Sequence, residues 1–122
     1  MYLIGDRQGS DSDFNRAIAI KPNHDGAYPN RGVAYMGQKN YQQGLADVEK
    51  ALQINPSNDT AYQGRSIYYI SAKNFQGAIA DANRAIATNP VSPDSHFTRG
   101  LAYIGLNDRA QARSSLQAAA IL

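Results

Sequence analysis

Residues 28–35 read Tyr-Pro-Asn-Arg-Gly-Val-Ala-Tyr, residues 62–69 read Tyr-Gln-Gly-Arg-Ser-Ile-Tyr-Tyr, and residues 96–103 read His-Phe-Thr-Arg-Gly-Leu-Ala-Tyr. The three stretches stand 34 residues apart, and so do Lys21-Pro22, Asn55-Pro56 and Asn89-Pro90. The remainder of the period repeats too: Lys39-Asn40-Tyr41 answers Lys73-Asn74-Phe75, and Asp47 through Ala51 answers Asp81 through Ala85. A fixed period of this length marks a stack of supersecondary units that bury their apolar faces against one another. Apolar and small residues recur at helical spacing on both sides of a polar turn such as Gly37-Gln38-Lys39-Asn40, so each unit reads as two helices. The pattern predicts helices near 8–20, 26–38, 42–54, 60–72, 76–88, 94–106 and 110–121.

Small residues sit where two helices must cross closely: Gly32, Ser66 and Gly100 in the first helices, and Gly44, Ala78 and Ala112 in the second. Pro56 and Pro90 follow the second helices and stop them, because proline cannot continue the hydrogen-bond ladder. Gly44 inside a helix and Pro29 near the start of one depart from good helix-forming choices. A helix pair with a 34-residue period resembles the tetratricopeptide repeat family. The opening aromatic of that pattern is Tyr28 and Tyr62, with His96 in the third unit; the later tyrosines are Tyr35, Tyr69 and Tyr103, and the later alanines Ala51, Ala85 and Ala119. The resemblance implies an all-α, right-handed superhelical solenoid of antiparallel helix hairpins. It spans one continuous domain: a partial repeat at 1–24 with only its second helix, repeats at 25–58 and 59–92, and a repeat at 93–122 truncated at its end.

With 43 % hydrophobic and 18 % charged residues, the 122-residue chain is composed to fold rather than to remain disordered. Its formal charge of +2 is spread without a basic run, which argues against nucleic acid. Without cysteine there is no disulfide framework, thiolate metal site or cysteine nucleophile. No apolar stretch approaches the roughly 18 residues a membrane span needs, and no leader pattern opens the chain, so the expected compartment is cytoplasmic and no membrane insertion is expected. Two histidines, one glutamate and nine aspartates, mostly at turns or on solvated faces, do not assemble into acid–base or metal-ligating patterns. His24 and His96 read as structural, and no catalytic residue, cofactor or metal is expected.

The resemblance implies that the first helices line a concave, partner-binding face. Carried over position by position, that face is Asn30, Val33 and Met36, then Gln63, Ile67 and Ile70, then Phe97, Leu101 and Ile104, with Gly37, Gly64 and Gly105 leaving room for a ligand. Its large members are mostly apolar, so the expected partner is an apolar or amphipathic segment of a protein or peptide. Some family members grip chaperone C-terminal carboxylates through a basic clamp. The corresponding positions here are Pro29, Val33, Gly64, Phe97 and Leu101, none of which carries a charge, so a chaperone tail is not the expected ligand.

Arg31, Arg65 and Arg99 form a ladder at the repeat spacing, and Asp13, Asp47 and Asp81 form another, each aspartate 18 residues before an arginine. This spacing predicts ion pairs stitching each second helix to the next unit's first helix, with an arginine row offered to an acidic partner as the alternative. The last residues, Leu116 to Leu122, are largely apolar. A solenoid end of that kind expects cover, whether from a neighbouring helix of a longer array or from another copy in a homo-oligomer. The functional expectation is a protein-interaction scaffold, with self-assembly or a non-catalytic adaptor role in a larger enzyme or secretion complex as alternatives.

Overall fold

A computed structural model describes residues 15–19 and 26–121 of the chain. Residues 15–19 are helical, followed by α1 (Ala27–Gly37), α2 (Tyr41–Ile54), α3 (Asp59–Ser71), α4 (Phe75–Thr88), α5 (Pro93–Gly105) and α6 (Arg109–Ile121). There is no strand among the described residues. The helices pair as the hairpins α1–α2, α3–α4 and α5–α6, and each later hairpin seats its first helix on the hairpin before it, giving an all-α solenoid. The remainder of the predicted 8–20 helix, with Asp13, Pro22 and His24, lies outside the described residues.

Local chemistry sets the boundaries. Each second helix opens one residue earlier than its apolar pattern suggests, and in α4 and α6 Asn74 and Asp108 act as caps: their Oδ1 atoms accept from the backbone N–H of Gly77 at 3.0 Å and Gln111 at 3.2 Å. Asn58 caps α3 likewise, accepting from Ala61 N–H at 2.9 Å. The turn inside each hairpin places Lys39, Lys73 and Asn107 at φ near +60° (64°, 59° and 63°), the left-handed conformation that lets a helix end and the chain reverse. Pro29 lies in the first turn of α1, where no intrahelical partner exists for the N–H it lacks.

Helix crossings work by paired volumes. A Cβ added to Gly32 would lie 2.7 Å from Val48 Cγ1, and one added to Gly64 would lie 2.8 Å from the same methyl. Val48 is thus a wedge filling the gaps opposite two glycines, and it is fully buried with Ala51 and Ala61. In the third hairpin, Gly100 faces Leu116 in the same way at 2.7 Å. The second hairpin has Ser66 and Ala82 at these positions, a slightly larger residue opposite a smaller one. Gly44 is explained by the same crossing: its missing Cβ would meet Gly32 O at 2.9 Å and Met36 Cε at 3.0 Å.

The arginine ladder is structural, but it pairs differently from the spacing-based expectation. Arg31 reaches Asp47 of its own hairpin, Nε to Oδ2 and Nη2 to Oδ1 both at 2.7 Å, and Arg65 reaches Asp81 at 2.7 and 3.0 Å. The partner is therefore 16 residues after each arginine, not 18 before it. The contact to the preceding helix is made through asparagines instead: Arg31 Nη1 donates to Asn15 at 2.6 Å and Arg99 Nη1 to Asn83 at 3.0 Å. Each guanidinium also lies between two rings of its own helix, Arg31 at 5.8 and 5.7 Å from Tyr28 and Tyr35, and Arg65 at 5.6 and 6.0 Å from Tyr62 and Tyr69. The hydrogen bonds that Arg31 and Arg65 donate to Asp47 and Asp81 raise their pKa above the ordinary arginine value, outweighing the opposing effect of burial.

His96 shows what the opening aromatic does. Tyr62 OH donates to the carbonyl of Pro56 at 2.7 Å, and His96 Nε2 makes the equivalent bond to Pro90 O at 3.0 Å. A carbonyl only accepts and a guanidinium only donates, so Nε2 carries the proton and Nδ1 accepts from Arg99 Nη2 at 3.2 Å. Both residues fasten the first helix to the inter-hairpin turn. One substitution runs the other way: Ser95 occupies the place of Ala27 and Ala61, and its buried hydroxyl has no partner among the described residues. Ser95→Ala is expected to raise the free energy of unfolding by about 1 kcal/mol, read from urea denaturation.

Candidate partner-binding face

The nine residues expected on the inner face lie on α1, α3 and α5, and their large apolar members are most exposed in the third hairpin. Asn30 is exposed, but Val33 is half-buried, with its Cγ2 3.3 Å from where a Gly64 side chain would begin. Gln63, Ile67, Ile70 and Leu101 are half-buried, and Gln63 Nε2 donates to Asp94 Oδ2 at 3.3 Å. Phe97 and Ile104 stand out at 50 % and 54 % exposed. With Leu101 between them they follow the i, i+4, i+7 spacing that places side chains on one helical face.

Met36 is a correction. It is 3 % exposed, because the hole left by Gly44 draws the flexible thioether into the α1–α2 crossing, and it cannot meet a ligand there. Two of the three glycines expected to leave room are also occupied. The space at Gly64 is taken by Val48 and Val33, and that at Gly105 by the Phe75 ring, whose Cε1 and Cζ would be 2.5 Å from an added Cβ. Only Gly37 of these three faces open space.

A second concavity lies at the apolar end that the sequence marks as expecting cover. At the outer side of the third hairpin, a cleft of about 630 Å³ is lined by Ile104, Ala112, Leu116 and Ala120, with Arg109 and Arg113 among its polar residues. Ile104 sits at the corner shared by this cleft and the α5 stripe. Among the described residues no group of three or more His, Asp or Glu could hold a metal, and no helix is long and apolar enough to cross a membrane.

The family model described as Tetratricopeptide repeat matches residues 27–58. No curated protein matches the chain. Among solved structures, MamA 41-end from Desulfovibrio magneticus RS-1 is similar over 98 % of this chain and 67 % of its own, at 21 % identity and a TM-score of 0.76. YrrB, titled a TPR protein with an unusual peptide-binding site, is similar over 89 % of this chain and 56 % of its own, at 24 % identity and a TM-score of 0.78. The second TPR of Spaghetti (RPAP3), bound to HSP90 peptide SRMEEVD, is similar over 85 % of this chain and 97 % of its own, at 16 % identity and a TM-score of 0.74. The chain thus spans about two-thirds of the MamA structure and just over half of YrrB. Residues 27–58 are a tetratricopeptide repeat, and the described residues have the all-α solenoid fold of tetratricopeptide repeat proteins.

Proposed function

We propose that the chain is a protein-interaction scaffold that holds an apolar or amphipathic segment of a partner against the inner face of α3 and α5. The observation that carries this reading is the stripe Phe97, Leu101 and Ile104, whose ends are half exposed although their apolar area would favour burial. Ile67 and Ile70 occupy the equivalent positions of α3 and extend the stripe along the stack. Peptide binding named for YrrB and for the RPAP3 repeat supports the class of function. An acidic peptide such as SRMEEVD is not the ligand proposed for this face, because Pro29, Val33, Gly64, Phe97 and Leu101 offer it no cation.

The test is Phe97→Asp. The ring is half exposed, so the fold should tolerate the change, whereas an apolar anchor replaced by a charge should weaken partner binding by about tenfold or more. Circular dichroism checks the fold and a pulldown of the bound proteins reads the effect. An unchanged bound set would reject the inner face. Charging Met36 instead would test folding, since that side chain is buried.

A further inference from the structure

We infer that the third rung of the arginine ladder, Arg99 between α4 and α6, is a binding site for a carboxylate side chain of a partner protein. The first two rungs are neutralised within the chain. Arg31 is paired with Asp47, and Arg65 is paired with Asp81 and lies in the field of Glu49 on α2. The third rung has lost both kinds of counter-charge: the residues 34 positions on from Glu49 and Asp81 are Asn83 and Ser115, and His96 stands 34 on from Tyr62. Arg99 makes three hydrogen bonds, all to neutral acceptors: Ser115 Oγ and Asn83 Oδ1 at 3.0 Å, and His96 Nδ1 at 3.2 Å. It has no ion pair and no stacked ring among the described residues.

Neutral acceptors satisfy N–H groups without cancelling charge, and a half-buried cation attracts a carboxylate more strongly than a fully solvated one does. A guanidinium has five N–H donors, so the three bonds leave Arg99 one on each terminal nitrogen. Asn83 is exposed and adds to them: its Oδ1 is held by Arg99, and its amide N–H groups have no partner among the described residues. What the rung has to spare is donors and positive charge, the complement of a carboxylate and the same pairing that Asp47 and Asp81 supply to the other two rungs.

Continuation of the stack does not deliver this charge. At the inner rung, the ion pair, hydrogen bonds and rings of Arg65 all come from α3 and α4, and the added field comes from α2. Helix α5 is packed on that hairpin and gives Arg65 no hydrogen bond, ion pair or ring contact. A helix seated on α5–α6 would stand to Arg99 as α5 stands to Arg65.

The probe is the tripeptide acetyl-Ala-Glu-Ala-amide, titrated into the isotope-labelled whole chain with the arginine Nε–H signals followed by NMR. Each signal is assigned by its loss in Arg31→Lys, Arg65→Lys or Arg99→Lys. The Arg99 signal should shift saturably, by about fivefold or more than those of Arg31 and Arg65, whose own carboxylates already fill the place, and the shift should shrink as salt rises. The Ala-Gln-Ala analogue should leave it unmoved. Ser115→Asp recreates the pairing of the first two rungs, so it should raise the urea midpoint and abolish the response to the peptide. Arg99→Gln gives an independent reading through the Asn83 side-chain amide signals, which should follow the peptide in the wild-type chain and ignore it in the variant. An unmoved Arg99, equal shifts at the three arginines, or a response that survives Ser115→Asp or Arg99→Gln would overturn the proposal. So would sedimentation in which the chain self-associates and Ser115→Asp dissolves the association, because a second copy, through Glu49 or another exposed carboxylate, would then be the occupant. Phe97 is untouched throughout, so this site and the inner face stand or fall separately.

Discussion

Asp81→Ala is expected to lower the free energy of unfolding by about 3 kcal/mol, at the lower end of the range for stripping one partner from a buried ion pair. The Asp81 side chain is 1 % exposed and its two oxygens accept from Arg65 and Arg84. Removing it leaves the Arg65 guanidinium in the crossing with only Tyr62, Tyr69 and the field of Glu49. The lower end of the range applies because the Arg65 side chain keeps 22 % of its exposure, so water partly solvates the orphaned charge. Asp47→Ala should cost somewhat less, because Asp47 has one arginine and Arg31 retains Asn15. Ser115→Ala should cost about 1 kcal/mol, since it removes only the 3.0 Å bond to Arg99 Nε. Chemical denaturation of the three variants should therefore rank Asp81, Asp47, Ser115. Equal costs would contradict charge pairing as the source of the ladder's contribution.

Gly32→Ala is expected to destabilise the chain by up to about 2 kcal/mol, although alanine is the better helix former. Overpacking against a stiff β-branched wedge costs about 1–3 kcal/mol, and the propensity gain of about 1 kcal/mol offsets only part of it. Val48 Cγ1 at 2.7 Å and Gly44 O at 3.1 Å leave the new methyl no room. Val48→Ala alone should cost about 2 kcal/mol through the cavity it opens between α1, α2 and α3. The double variant should be more stable than the sum of the two single effects by at least about 1 kcal/mol, because it recreates the small-pair crossing that Ser66 and Ala82 already form. Additive effects in urea denaturation would show that Val48 does not fill the Gly32 gap.

The fold was legible because three copies of one pattern average out local ambiguity. His96 breaks the aromatic rule and Gly44 and Pro29 break helix propensity, yet the period still fixes six helices to within a residue or so. The arginine pairing was not legible from the period. In a 34-residue repeat, an aspartate 18 residues before one arginine is also 16 residues after another, so the same residues satisfy both readings and only geometry chooses.

The candidate face was readable in its register but not in its exposure. Met36, Ile70 and Ile104 are equivalent in sequence position, yet Met36 is buried over Gly44 and Ile104 is 54 % exposed. For Met36 the signal was the partner position on the second helix, where Gly44 leaves the hole that its thioether fills.

The central claim, that the α5 stripe contacts a partner segment, is tested most directly by photo-crosslinking. A photoreactive phenylalanine analogue at Phe97 is compared with the same analogue at Gln53, on the exposed side of α2, in cells that make the chain. The prediction is a crosslinked protein from position 97 that excess unmodified chain competes away, and none from position 53. Crosslinks of equal strength at both positions, or only from position 53, would contradict it.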